Sequence, residues 1–200
     1  MSGGDGEVEL LGREPLLRSY LEVDRLRVRH RLFAGGMSGE VSREVLLRGA
    51  AVVVIPYDVA RDRVVLIEQF RIGVYANGEP AWILEAIAGL VEPGEEPAAV
   101  ALREAKEEAG LTLARVHHVL DYYPSPGALS EKASLFWAPA DSEGAGGVHG
   151  LDHEHEDIRV HVLSFEAAMQ ALADGRMRSS TGLVALQWLA LNRERIRAEN

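Results

Sequence analysis

Cysteine is absent from all 200 residues, which excludes disulfides, thiolate metal sites and a cysteine nucleophile. The absence fits a reducing compartment. Long apolar runs are missing too: the longest, around Ala50 to Pro56, is far below the ~20 residues that a membrane span requires. The start, MSGGDGEVEL, has neither the basic region nor the apolar run of a signal peptide. A soluble cytoplasmic protein with no membrane partner is the expectation. Positive charge is also in deficit, with 21 Lys and Arg against 31 Asp and Glu for a net charge of -10. Nucleic acids and anionic membranes are bound by neutralising phosphate, so neither is an expected partner. A small anion held by local arginines or by metal stays compatible. Apolar content of 47% is enough for the core of one medium domain, alone or with a small appendage.

Residues 1 to 12 are glycine-rich and acidic, which predicts a frayed terminus. From Tyr20 to Leu32 the chain alternates, with Arg25, Arg27, Arg29 and Arg31 on one face and Leu26, Val28 and Leu32 on the other. That is strand periodicity. The arginine row could contact nucleic acid, but a solvated face of an antiparallel strand is the preferred reading. A turn at AGGMSGE and a strand at VSREVLLRG follow. Two β-branched runs, Ala50 to Asp58 and Arg63 to Phe70, flank DVARD and predict a hairpin, and shorter runs at 82–84, 114–122, 133–138 and 158–163 read as strands. Helical spacing covers 165–174, with Ser164 as N-cap and Gly175 as the stop, and again 182–197. Strands and helices mix without a regular βαβ repeat, so the expected class is α+β. DSEGAGGVHG, rich in glycine and ahead of the charged run HEHED, is expected to be a mobile loop of the kind that delivers catalytic groups.

Six glutamates crowd into GLVEPGEEPAAVALREAKEEAGL, residues 89–111. Like charges at helical neighbour spacing cost about 0.2 to 0.5 kcal/mol per pair, so propensity does not account for them. Pro97 suits a first helical turn and Gly110 a left-handed cap, predicting a helix over 97–109. On it Glu104, Glu107 and Glu108 share a face, Val100, Ala101, Ala105 and Ala109 offer the opposite side something to bury, and Arg103 can pair with Glu107. Oxygen donors without histidine or cysteine favour a hard cation, magnesium or manganese, completed by water and substrate phosphate.

Gly89, Glu95, Arg103, Glu104, Ala105, Glu107, Glu108, Gly110 and Leu111 satisfy G-x5-E-x7-R-E-U-x-E-E-x-G-U. This resembles the Nudix box. Outside it, LIEQFRIGVY, LEAIAGL, YYPSPGALSEK and EHEDIRVHVLS resemble the ADP-ribose pyrophosphatase branch of the Nudix hydrolases, over about residues 40 to 195. The resemblance implies a Nudix fold, a mixed β-sheet flanked by helices, over 49–200. It also implies a small N-terminal antiparallel β region over 1–48 for dimerisation and nucleotide contacts. The implied reaction is magnesium-dependent hydrolysis of ADP-ribose to AMP and ribose 5-phosphate, with manganese as a substitute cation. Other nucleoside diphosphate derivatives (GDP-mannose, other ADP-sugars, NADH, dinucleoside polyphosphates) and a non-catalytic nucleotide-sensing module are the alternatives.

By the same resemblance, Glu104, Glu108, Glu156 and the carbonyl of Ala88 are metal ligands. Glu107 ligates the metal directly, braces the residues that do, or is the base, and Glu154 is the general base, with assignments among Glu154, Glu156 and Glu107 left open. Arg71 and Arg43 would bind phosphate, Glu131 ribose hydroxyls, and Tyr20 the adenine. A homodimer would share the active site, with Arg43 and Tyr20 acting across the subunits. His149, His153, His155 and His161 raise a zinc reading, which lacks a second ligand group of fitting spacing.

Overall fold

The computed structural model describes residues 6–151, 153 and 155–199. The chain divides into two compact units, one of Met1–Gly49 with Tyr123–Glu131 and one of Ala50–Tyr122 with Lys132–Asn200. The segment 123–131 thus groups with the N-terminal residues, although the sequence expectation placed it in the 49–200 domain.

In the first unit, β1 (Val8–Arg18), β2 (Glu22–His30) and β3 (Val41–Leu47) form an antiparallel sheet in that order. The expectation of a frayed start is corrected for residues 8–12. Leu10 pairs with Val28 and Gly12 with Arg27 across a bulge, so cross-strand partners supply the order that local composition does not. A Cβ at Gly12 would sit 2.8 Å from the Arg27 guanidinium, the mobile end of a long side chain that would have to turn aside. Three of the four arginines meet carboxylates on or just beside the neighbouring strands: Arg25 donates to Glu14 at 3.3 Å and Glu44 at 3.0 Å, Arg27 to Glu40 at 3.2 Å, and Arg29 lies 3.9 Å from Glu9. On the other face buried Asp24 accepts from Arg18 and Arg13, and those bonds hold its carboxyl below the usual range. The segment 123–131 continues this unit beside β3. Leu46 N–H donates to Ala128 at 2.8 Å and Ser130 N–H to Leu46 at 3.0 Å.

The second unit is built on β4 (Ala50–Asp58) and β5 (Arg63–Phe70), the hairpin predicted around DVARD. A mixed sheet runs β10 (Val148–His149), β11 (Ile158–Ser164), β5, β4, β9 (Lys132–Pro139), β8 (His117–Tyr122), with β4 and β9 parallel. In addition β6 (Trp82–Glu85) pairs with β5, and β7 (Ile87–Leu90) with β4. Alternation along β4 sorts the core. Val52 and Val54 face α2 (Pro97–Ala109), while Val53, Ile55 and Tyr57 face α3 (Phe165–Ala173) and α4 (Ser180–Glu199). Ser164 caps α3 by accepting from Ala167 N–H at 3.2 Å, and Gly175 stands just beyond its end at φ +77°. A short helix α1 (Ile72–Ala76) follows β5, in a segment for which the sequence analysis named no element. Among the described residues no helix is long and apolar enough to cross a membrane.

The glycine-rich stretch before HEHED packs more than its composition promised. Ser142 is buried, and both its N–H (2.9 Å) and its hydroxyl (2.6 Å) donate to Asp58. Arg61 adds its N–H at 2.9 Å and its guanidinium at 3.1 Å. Burial works to raise the Asp58 carboxyl, but these donors outweigh it and hold the pKa at about 2.

Candidate active site

Helix α2 spans the residues predicted for it, with Pro97 in its first turn and Gly110 closing it at φ +66°. The disposition of its glutamates corrects the expectation of a carboxylate face opposite an apolar one. Val100, Ala101, Ala105 and Ala109 are buried, and so are Glu104 at 9% and Glu108 at 3% exposure, while Glu107 is half-buried. Positions 100, 104 and 108 form one i, i+4 row beside the alanine row 101, 105 and 109, so two carboxylates ride on the edge of the buried face. Arg103 gathers the outer charges, at 2.8 Å from Glu107, 3.0 Å from Glu104 and 3.8 Å from Glu95. Glu95 in turn accepts from Glu92 N–H at 2.9 Å, fixing the turn ahead of the helix.

Strand β7 crosses directly over this edge. Ala88 N–H donates to Glu108 Oε2 at 3.0 Å. In a strand the N–H and C=O of one residue point to the same side, so the Ala88 carbonyl is presented on the edge that serves Glu108. The register agrees: Val91 N–H donates to Ala50, and Ala88, three residues earlier, stands opposite Val53 with its polar groups turned away from β4. Gly89 must lack a side chain, because a Cβ would lie 2.0 Å from Glu104 Oε1.

Arg71 approaches from the end of β5 and donates to buried Glu85 at 2.5 Å. A cleft of about 700 Å³ opens beside this pair, lined also by Ile83, Ser179 and Thr181. Glu85 was missed in the sequence reading, though it stands within LEAIAGL. Its signal was a carboxylate flanked by apolar Leu84 and Ala86. Glu156 is half-buried and accepts from Leu151 N–H at 3.2 Å. Glu154 lies outside the described residues.

These groups meet electrostatically at Glu108. Burial is the main force lifting its carboxyl, Ala88 N–H opposes it, the negative charges of Glu104 and Glu156 add to it, and Arg71 opposes it again, leaving the pKa at about 8. Such a value marks a site that wants a proton or another cation. Among the described residues no group of three or more His, Cys, Asp or Glu is already drawn together to hold a metal. The two observations are compatible, since Glu104 is held toward Arg103 and Glu156 toward Leu151, and like charges do not converge unaided. His149 Nε2 donates to the Gly146 carbonyl at 2.8 Å and His161 Nε2 to Glu68 at 2.9 Å, partners that a zinc site would have to displace.

Tyr20, Arg43 and Glu131 belong to the first unit. Tyr20 is 87% exposed, which sets it apart from a packing aromatic, and the Arg48 guanidinium stands 6.0 Å from its ring centroid. Arg48 also lies 3.7 Å from Glu131, so it joins two of the predicted residues, although the sequence reading passed over it. Arg43 is exposed and donates to the Ser42 carbonyl at 2.8 Å.

Comparison with known proteins identifies the family. The NUDIX domain matches residues 47–183. The chain is 47% identical over 196 residues to the ADP-ribose pyrophosphatase of Escherichia coli strain K12, covering 98% of this chain and 94% of that one. It is 45% identical over 189 residues to the ADP-ribose pyrophosphatase of Haemophilus influenzae, covering 93% and 87%. The GDP-mannose pyrophosphatase of Enterobacter sp. strain 638 is 33% identical over 160 residues, covering 78% and 82%. The solved structure of an ADP compounds hydrolase superposes with a TM-score of 0.71 at 22% identity, over 94% of this chain and 97% of that one, a likeness of fold. With the motif's arginine and last three glutamates on α2 and its first glycine on β7 pressed against Glu104, this chain belongs to the NUDIX family.

Proposed function

We propose that the protein hydrolyses the pyrophosphate of ADP-ribose to AMP and ribose 5-phosphate in the cytoplasm, with magnesium as cofactor and manganese as its substitute. The observation that carries the reading is the carboxylate pair Glu104 and Glu108 beneath β7, with Glu108 too buried to hold its charge alone. Near full-length likeness to pyrophosphatases acting on ADP-ribose supports the substrate.

Glu104, Glu108, Glu156 and the Ala88 carbonyl form a hard oxygen set suited to a divalent cation. When bound, the cation neutralises pyrophosphate charge and helps orient and acidify a water. Glu108, released from its proton, keeps its Ala88 bond and is fixed in direction. Glu107, held by Arg103, supports the ligands from outside or acts as base itself. Glu154 is the proposed base that removes the water's proton as its oxygen bonds to phosphorus and the bridging P–O bond breaks. Arg71, already oriented by Glu85, offers its remaining donors to phosphate. Tyr20 stacks on the adenine, Arg43 contacts phosphate and Glu131 accepts from ribose hydroxyls. Tyr20 and Arg43 come from the second copy of a homodimer.

A second reading, hydrolysis of another nucleoside diphosphate sugar, is favoured by the likeness to a GDP-mannose pyrophosphatase. A nucleotide panel with and without magnesium decides between them. AMP release from ADP-ribose at the highest kcat/KM is expected. Faster cleavage of GDP-mannose overturns the substrate, and no cleavage of any member overturns the activity.

A further inference from the structure

Among the described residues, the loop that carries Glu156 is fastened to the C-terminal end of α2. Helix ends leave their last carbonyls without intrahelical partners. Here Gly110 N–H serves Lys106 and Leu111 N–H serves Ala105, and the carbonyl of Glu107 accepts from Gly150 N–H at 3.2 Å. One residue earlier, the His149 ring lies across Gly110, where a Cβ would be 2.6 Å from Cε1 and 3.2 Å from both ring nitrogens. The ring is held in that pose by its Nε2 bond to the Gly146 carbonyl at 2.8 Å. On the far side, Gly150 at φ +107° has no room for a Cβ, which would meet Glu156 Cβ at 2.7 Å and its carbonyl oxygen at 3.0 Å. Leu151 then closes a small ring with Glu156: its N–H donates to Oε2 at 3.2 Å and its carbonyl accepts from Glu156 N–H at 3.3 Å.

We infer that His149 and Gly150 are positioning residues that dock the Glu156 loop on the C-terminal end of α2, and that Gly110 serves the dock as well as the helix cap. The three contacts form a chain from the last turn of α2 to Glu156. Glu104 and Glu108 come from that helix, so the dock sets the spacing between ligands supplied by two separate elements. The left-handed conformation accounts for glycine or asparagine at 110. The His149 ring accounts for glycine alone.

The metal-binding and turnover parts of the test rest on the proposed function, whereas hydrogen exchange in metal-free protein reads the dock directly. In His149→Ala, the amides of 146–151 and of Glu156 should exchange faster without metal. Mn2+ affinity by calorimetry and kcat for ADP-ribose should each fall about ten- to a hundredfold, with KM within about twofold. His149→Gln, which still reaches the Gly146 carbonyl, should recover part of each. Gly110→Asn keeps the left-handed cap but drives its Cβ into the ring, and should mimic His149→Ala. The double variant should be no worse than His149→Ala, because the ring that clashes is gone. Additive losses in the double variant, or wild-type exchange and Mn2+ affinity in His149→Ala, would overturn the inference. A wild type that turns over no nucleotide would instead count against the proposed function and leave the exchange comparison standing.

Discussion

Glu108→Gln should make the metal-free protein more stable at pH 8 while removing its activity. In the folded chain burial is the leading cause that lifts this carboxyl from 4.5 to about 8, with Glu104 and Glu156 reinforcing it against the Ala88 N–H and Arg71. Between those values the folded state keeps a proton that the unfolded state has given up. The folded state therefore binds more protons, and stability falls as pH rises from about 4.5 to about 8. Each pH unit inside the window corresponds to about 1.4 kcal/mol, so the whole window is on the order of 3 to 5 kcal/mol. Glutamine preserves an acceptor for Ala88 N–H, 3.0 Å away in the wild type, and carries no charge to desolvate. Urea denaturation in EDTA at several pH values checks this. Variant and wild type should nearly coincide at pH 5, and the variant should lead by a few kcal/mol at pH 8. Adding Mg2+ at pH 8 should stabilise the wild type, since a ligand of the folded state adds RT ln(1 + [L]/Kd), and should leave the variant almost unmoved. Turnover by the variant should be lower by orders of magnitude. Parallel stability curves for the two proteins from pH 5 to 8 would refute the reasoning.

Gly89→Ala would place a methyl group 2.0 Å from Glu104 Oε1, so Mn2+ affinity measured by calorimetry should drop about tenfold or more. Asp58, held at about 2 against an ordinary 3.8, contributes stability that is complete above the unfolded value and disappears as pH falls through the folded one. An Asp58→Ala protein should accordingly be less stable at pH 7 and show a flatter loss of stability between pH 4 and pH 2, read from urea midpoints. Ser164→Ala removes the α3 cap bond and should cost about 1 kcal/mol in urea denaturation, with kcat unchanged.

Local pattern was sufficient for much of this protein. The β4–β5 hairpin, α2 and the strand at β2 follow from periodicity and capping residues that act within a few positions of one another. The spacing of nine box residues, with no cysteine or histidine among them, determined that hard oxygen donors gather on one helix. Tertiary structure decided which of those carboxylates are buried and what they touch. Glu104 and Glu108 look like Glu107 in sequence, yet β7 buries the first two and leaves the third beside Arg103. Neither the order of residues 8–12 nor the pairing of Arg71 with Glu85 could be read from neighbours along the chain, since each depends on a partner more than ten positions away. The same holds for the dock of His149 on Gly110, 39 positions apart in the numbering. Propensity is a property of short stretches, whereas desolvation and hydrogen-bond satisfaction belong to whichever distant backbone the fold brings alongside.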